Sequence, residues 1–161
     1  MKRSVLFGVF LALVVVTIAF AQGKPNFQGV WTPQAPAAGA APPAGGGGGG
    51  RGGGGPMTVT QTATQLTIER TMGQNTLKTV YNLDGTESKN ERPGRGGGEP
   101  TVQTSTTKWD GAKLVITTKF EGPNGPVEQV QTWSLTAEGN LVTEQPGQGG
   151  NVRTTVYSKG K

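Results

Sequence analysis

An acidic residue followed by glycine recurs three times, at Leu83-Asp84-Gly85, Trp109-Asp110-Gly111 and Ala137-Glu138-Gly139. The glycines stand 26 and then 28 residues apart. Acid-Gly is a tight-turn signal, because glycine accepts positive φ without steric cost and aspartate accepts it better than most residues. Around the central copy lie Val102, Thr104, Thr106 and Trp109 on one side and Leu114, Val115 and Ile116 on the other. These types suit a pleated, half-buried surface, so the stretch reads as a β-hairpin. A period near 27 residues that holds two strands is a repeated hairpin, too loose for a solenoid. The chain is therefore expected to be an antiparallel meander.

The central turn admits two registers. A two-residue Asp110-Gly111 loop sets Lys108 opposite Lys113, an unfavourable like-charge pair. A three-residue loop, Trp109-Asp110-Gly111, pairs Lys108 with Ala112 instead and suits the pattern of all three turns. A slip of one residue exchanges the inner and outer faces of a strand, so the core face of Thr101–Lys108 stays open.

Ten short segments carry strand character: Phe27–Thr32, Met57–Thr62, Gln65–Thr71, Thr76–Leu83, Thr86–Glu91, Thr101–Lys108, Ala112–Phe120, Val127–Leu135, Asn140–Glu144 and Asn151–Ser158. No segment shows an apolar period of 3.6 over helical length. The expected class is all-β, an up-and-down meander of about eight to ten strands closed into a barrel, with a sandwich or open sheet as the alternative. The expected core is Phe27, Trp31, Met57, Val59, Leu66, Ile68, Leu77, Tyr81, Leu83, Leu114, Ile116, Phe120, Trp133, Leu135, Leu141 and Tyr157. Of these, Leu66, Ile68, Tyr81, Leu114, Ile116, Phe120 and Trp133 are the candidate lining of an internal cavity. The many Thr and Gln residues around them suit a solvated outer face or a partly polar cavity.

Residues 1–21 have the form of a signal peptide. Lys2-Arg3 is the basic lead, Val5 to Phe20 the apolar stretch, and Ala19-Phe20-Ala21 a small-x-small cleavage site. The apolar stretch is shorter than the roughly 20 residues of a bilayer span. The expectation is an exported protein, periplasmic or extracellular, with no stable membrane insertion after cleavage. Cysteine is absent, so neither disulfides nor a lipidated cysteine serve the exported chain.

Residues 22–161 form a single β domain with two interruptions. From Gln34 to Pro56 the chain is Ala, Pro and Gly with the single charge Arg51. Such a tract buries too little apolar surface to offset its chain entropy and is expected to be disordered. A second Gly-rich loop spans 92–100. The scattered arginines lack interleaved aromatics, which argues against nucleic acid as a partner. Without Lys2 and Arg3 there are 13 basic against 10 acidic side chains, a mild net charge of +3.

The chain has no histidine, which excludes Ser-His-Asp and Cys-His catalysis and histidine ligation of metals. The ten acids carry no calcium-loop spacing, and no Gly-Lys-Ser/Thr follows the glycine runs. No cofactor or metal is expected, and a carboxylate-based hydrolase is the one enzymatic exception.

Gly29-Val30-Trp31 in the first strand of such a meander resembles the G-x-W signature that opens lipocalins and related calycin barrels. The fuller pattern Asn26-Phe27-x-Gly29-x-Trp31 is similar to a set of small exported bacterial proteins described as lipocalin-like. The resemblance implies that Trp31 closes one end of a barrel, with Gly29 beside it. It also implies that a basic residue of the last strand packs across the indole, a place Arg153 would fill. The chain departs from lipocalins in lacking a helix after the last strand and a cysteine pair, and in carrying its Gly-rich tract where their first loop caps the barrel mouth. The implied function is binding of a small apolar or amphipathic molecule without catalysis. The alternative is an envelope or surface protein acting through contacts with a protein partner, with the Gly-rich segments as spacers.

Cleavage after Ala21 predicts a mature N-terminus at Gln22. The intact mass of the exported protein checks this, and a retained Met1–Ala21 would contradict it.

Overall fold

A computed structural model describes residues 23–35, 55–73, 75–93, 98–122, 125–146 and 151–160. The expected signal peptide, most of the 34–56 tract and the centre of the 92–100 loop lie outside the described residues. Ten strands follow one another: β1 (Gly29–Pro33), β2 (Met57–Gln61), β3 (Gln65–Met72), β4 (Asn75–Asn82), β5 (Ser88–Arg92), β6 (Thr101–Asp110), β7 (Lys113–Gly122), β8 (Gly125–Leu135), β9 (Leu141–Pro146) and β10 (Val152–Lys159). Every pairing is antiparallel, in the order β4-β3-β2-β1-β10-β9-β8-β7-β6-β5. Apart from one seam between β4 and β5, neighbours in sequence pair in space, and the first strand pairs with the last. The result is a nearly closed up-and-down barrel.

This topology accounts for the repeat. In a meander every second turn lies at the same end, so a period of two strands returns to one rim. The β4–β5, β6–β7 and β8–β9 connections share that end, with Gly85, Gly111 and Gly139 at φ of 88°, 57° and 81°. The turn acids work locally. Asp84 Oδ1 accepts from the Thr86 hydroxyl at 2.6 Å and the Thr86 amide at 3.0 Å, which holds its carboxyl below the usual range. In the β8–β9 turn the Gly139 amide donates to the Thr136 carbonyl at 3.0 Å, and the Asn140 amide to the Thr136 hydroxyl at 3.2 Å. The connections that include the two Gly-rich segments join strand ends at the opposite end.

The central hairpin takes neither expected register. Asp110 pairs with Lys113 and Trp109 with Leu114, so the loop is Gly111-Ala112. This sets opposite charges across the turn and removes the Lys108–Lys113 clash. It also settles the open face: Ser105, Thr107 and Trp109 share the side of Leu114 and Ile116.

Buried core residues are Phe27, Trp31, Met57, Val59, Leu66, Ile68, Leu83, Leu114, Ile116, Trp133, Leu141 and Tyr157, all among those expected. Leu77, Tyr81, Phe120 and Leu135 are half-buried. Trp109 joins the cluster from the strand whose face was undecided. Phe27 differs in kind, since it precedes β1 and crosses the barrel end. The Gln61 side chain fixes that crossing by accepting from the Phe27 amide at 2.8 Å and donating to the Pro25 carbonyl at 3.1 Å.

At the seam, side chains replace the missing ladder. The Val80 amide donates to Asn90 Oδ1 at 2.8 Å, and Asn90 Nδ2 donates to the Val80 carbonyl at 2.9 Å. One carboxamide thus imitates a strand partner for one residue. Asn82 Nδ2 donates to the Glu87 carbonyl at 2.9 Å, and the Thr107 hydroxyl donates to the Asn82 carbonyl. Asn90→Ala should cost about 1–3 kcal/mol in urea denaturation, since it strips both partners from a part-buried backbone unit. Amide exchange at Val80 should accelerate in the same variant. Unchanged stability with unchanged Val80 protection would contradict a seam held by Asn90.

Candidate functional site

Alternation along each strand decides what the barrel interior contains. Residues opposite one another in a ladder share a face. Starting from the buried Leu66 and Ile68 on β3, the ladders place Tyr81 and Thr79 of β4 and Gln61 and Val59 of β2 on the inside. From Leu114, Ile116 and Trp133, the inside includes Thr107 and Ser105 of β6, Thr118 and Phe120 of β7, and Gln129 and Gln131 of β8. All seven candidate lining residues, Leu66, Ile68, Tyr81, Leu114, Ile116, Phe120 and Trp133, lie on this inward face. Leu66 stands directly opposite Tyr81, and Leu114 opposite Trp133. Phe120 lies apart from these pairs, toward the other end of β7 between Gln103 and Val127.

The interior has two zones. One end is an aromatic floor. Phe27 stacks on Trp109 with rings 6.1 Å apart and 4° from parallel, and meets Trp133 edge-on at 5.7 Å and 84°. Trp31 donates its indole N–H to the Phe27 carbonyl at 2.8 Å, which locks the lead-in segment to β1 and satisfies a fully buried polar group. Lys24 Nζ covers the outside of Trp109, 5.4 Å from the ring centre.

Toward the other end the inward face turns polar. Ser105 and Thr118 hydroxyls meet at 2.8 Å, and Gln129 Nε2 donates to Gln145 Oε1 at 3.3 Å. Arg92, Thr101, Gln103, Thr118, Gln129, Gln131 and Gln145 are all half-buried, whereas Leu66, Leu114 and Trp133 at the floor are fully buried. These polar side chains are therefore only partly withdrawn from solvent, unlike those of the floor.

Arg70 extends the inward row Leu66-x-Ile68-x-Arg70 on β3. One guanidinium nitrogen lies 3.2 Å from the Met57 sulfur, a weak acceptor, and Nε is buried with no partner. The other buried side-chain nitrogens without a partner among the described residues belong to Trp109 and Trp133. All three are N–H donors. Burial pushes the Tyr81 phenol above its ordinary value, against the opposing pull of Arg70 and then Arg92. Tyr81 is therefore protonated, and a donor, throughout the neutral range, with both guanidinium groups in electrostatic reach.

The cation over Trp31 is Lys159, not Arg153. Lys159 pairs with Trp31 across β1 and β10 and places Nζ 5.7 Å from the indole centre. Arg153 is exposed, six residues earlier on the same strand, opposite Gln145. The backbone at Gly29 has φ of +151°, which favours glycine, and the Lys159 stem packs close by, with Cε within 2.6 Å of where a Cβ would stand. Parity could have found Lys159, because it lies two residues beyond the core Tyr157; the expected strand ended one residue short of it. Arg70 was legible by the same alternation, whereas Arg92 required the β5–β6 register.

Among the described residues no three acidic side chains converge as a metal site. Lys159→Met, which keeps the stem and removes the charge, should cost about 0.5–1 kcal/mol and couple to Trp31→Phe in a double-mutant cycle. Arg153→Ala should change stability by less than about 0.5 kcal/mol. Coupling of Trp31 to Arg153 and not to Lys159 in urea denaturation would contradict the observed packing.

No protein-family model matches this chain, and no curated protein matches its sequence.

Proposed function

We propose that this protein is an exported, lipocalin-like barrel that binds a small amphipathic molecule in its interior and performs no catalysis on it. The observation that carries the reading is the two-zone inner wall. Apolar and aromatic side chains occupy one end, and half-buried Thr, Gln and Arg side chains occupy the other. On this reading the core, in which Leu66, Leu114, Ile116 and Trp133 are fully buried, opens to admit the tail, and the head stays toward the polar end. Burying a tail against apolar walls supplies the drive, roughly 25 cal/mol per Å² of apolar surface. The polar wall then selects which head is accepted.

The G-x-W packing supports the lipocalin-like part of this reading. Gly29, Trp31 and a last-strand cation occupy the places that the resemblance assigns, with Lys159 as the cation. Export rests on the basic lead, apolar stretch and cleavage site of residues 1–21.

The test is a fluorescence titration of the mature protein with a neutral amphiphile, dodecanol, below its aggregation limit. Trp109 and Trp133 bound the apolar zone, so emission should change saturably with one ligand per chain and a Kd of about 1–100 µM. An emission unchanged by dodecanol and by charged amphiphiles of the same chain length would contradict an interior binding site.

A further inference from the structure

Phe27 is a core residue that no strand holds. Its side chain is fully buried, yet it precedes β1, and residues 23–28 belong to no ladder. Leu83 is the other core residue outside a strand, and its amide donates to the Thr64 carbonyl at 2.7 Å. The Phe27 backbone, among the described residues, bonds only to side chains. Its amide donates to Gln61 Oε1 at 2.8 Å, and its carbonyl accepts from the Trp31 indole at 2.8 Å. Gln61 Nε2 donates to the Pro25 carbonyl at 3.1 Å, so one carboxamide ties the segment at two points. Gly29, with the wide backbone freedom of its type, stands where the segment joins β1.

The slot that this ring fills has a definite shape. Trp109 offers a face nearly parallel to the Phe27 ring, and Trp133 meets it edge-on. A parallel face and a perpendicular edge are the two contacts that an aromatic ring prefers. Both walls stand on strands in continuous ladders, β6 with β7 and β7 with β8. The occupant does not. A core side chain within a strand leaves the interior only by disturbing a ladder, whereas Phe27 leaves by breaking the three side-chain bonds to Gln61 and Trp31. The core must open to admit a tail, and the opening costs the barrel least here.

We propose that Phe27 is a resident plug in the site of the guest, and that the guest ends in a single flat aryl ring. On binding, the Phe27 side chain swings out with its segment, and the aryl ring takes the slot between Trp109 and Trp133. This rests on the interior-binding reading above and adds both the class of guest and the place where the barrel opens. The exchange replaces one ring by another of the same shape, so the stacked and edge-on contacts are kept. The closed segment holds the affinity down, because only the fraction of molecules with Phe27 outside is competent to bind. Loosening the segment therefore tightens binding.

The test compares 6-phenylhexan-1-ol with 6-cyclohexylhexan-1-ol, which has the same length and head but a puckered ring. Affinity is read by tryptophan fluorescence of the mature protein. Displacement is read by hydrogen exchange of the Phe27 amide and the Trp31 indole N–H in nuclear magnetic resonance spectra. The phenyl alcohol should bind at least about threefold more tightly than the cyclohexyl one. Its binding should speed exchange of both reporter protons at least about tenfold, while the backbone amides of the β1–β10 ladder are not accelerated. Phe27→Ala and Gln61→Ala should tighten binding of the phenyl alcohol by at least about tenfold and threefold. Gln61→Ala keeps the ring and decides the matter where Phe27→Ala does not fold. Asn90→Ala loosens the barrel at the seam instead and should leave the affinity within about twofold. Binding that leaves both reporter protons protected would overturn the plug and leave interior binding standing. No tightening in Gln61→Ala, or the same tightening in Asn90→Ala, would also overturn it. Equal affinity for the two ring types would overturn the aryl guest. Failure of both alcohols and of dodecanol to bind would overturn both readings.

Discussion

The pairing of β1 with β10 is the constraint on which the rest of this barrel depends. A ten-strand meander with free ends is an open sheet with two exposed edges, and only the join of first to last strand gives it an inside. That join is short: Trp31, Thr32 and Pro33 pair with Lys159, Ser158 and Tyr157. Its strength comes from what is packed on it. Trp31 is buried, bonded to Phe27 and covered by Lys159, so one residue ties together the first strand, the segment before it and the last strand. Closure moves the free edges to β4 and β5, where the Asn90 carboxamide spans part of the gap. The aromatic floor and the seam are thus two halves of one solution to the edge problem.

Much of the fold was legible in turn chemistry. Acid-Gly turns at intervals of two strands pointed to an antiparallel meander. The segments between them had few alternatives, since they are rich in Thr and Val and show no helical period. The central hairpin shows the limit. Asp110-Gly111 marks a turn but not which residues occupy its corners. In the register that forms, Asp110 stands opposite Lys113, a juxtaposition that the turn signal does not specify. Because Trp109 changes face with that choice, its place in the core went with it.

The candidate site was half legible for a related reason. Apolar inward residues announce themselves by burial preference, and all seven expected lining residues lie on the inward face. Charged inward residues do not, because an arginine in a strand is by default read as solvent-facing. Alternation from Leu66 and Ile68 would have placed Arg70 inside, as the ladder does. Nothing local distinguishes Arg92 from its neighbour Glu91, and only the pairing of β5 with β6 assigns them to opposite faces. The inward place of Arg92 therefore follows from topology, whereas that of the apolar residues follows from pattern.

The proposed function requires an amphiphile inside the barrel, head toward the polar end and tail toward the floor. Intermolecular nuclear Overhauser effects between ¹³C-labelled dodecanol and the protein locate it directly. Contacts are expected from the methylene next to the hydroxyl to Thr118, Gln129 or Gln131, and from the terminal methyl to Leu114, Ile116 or Trp133. Contacts confined to outward-facing, exposed side chains such as Val30, Val102 and Val152 would contradict it.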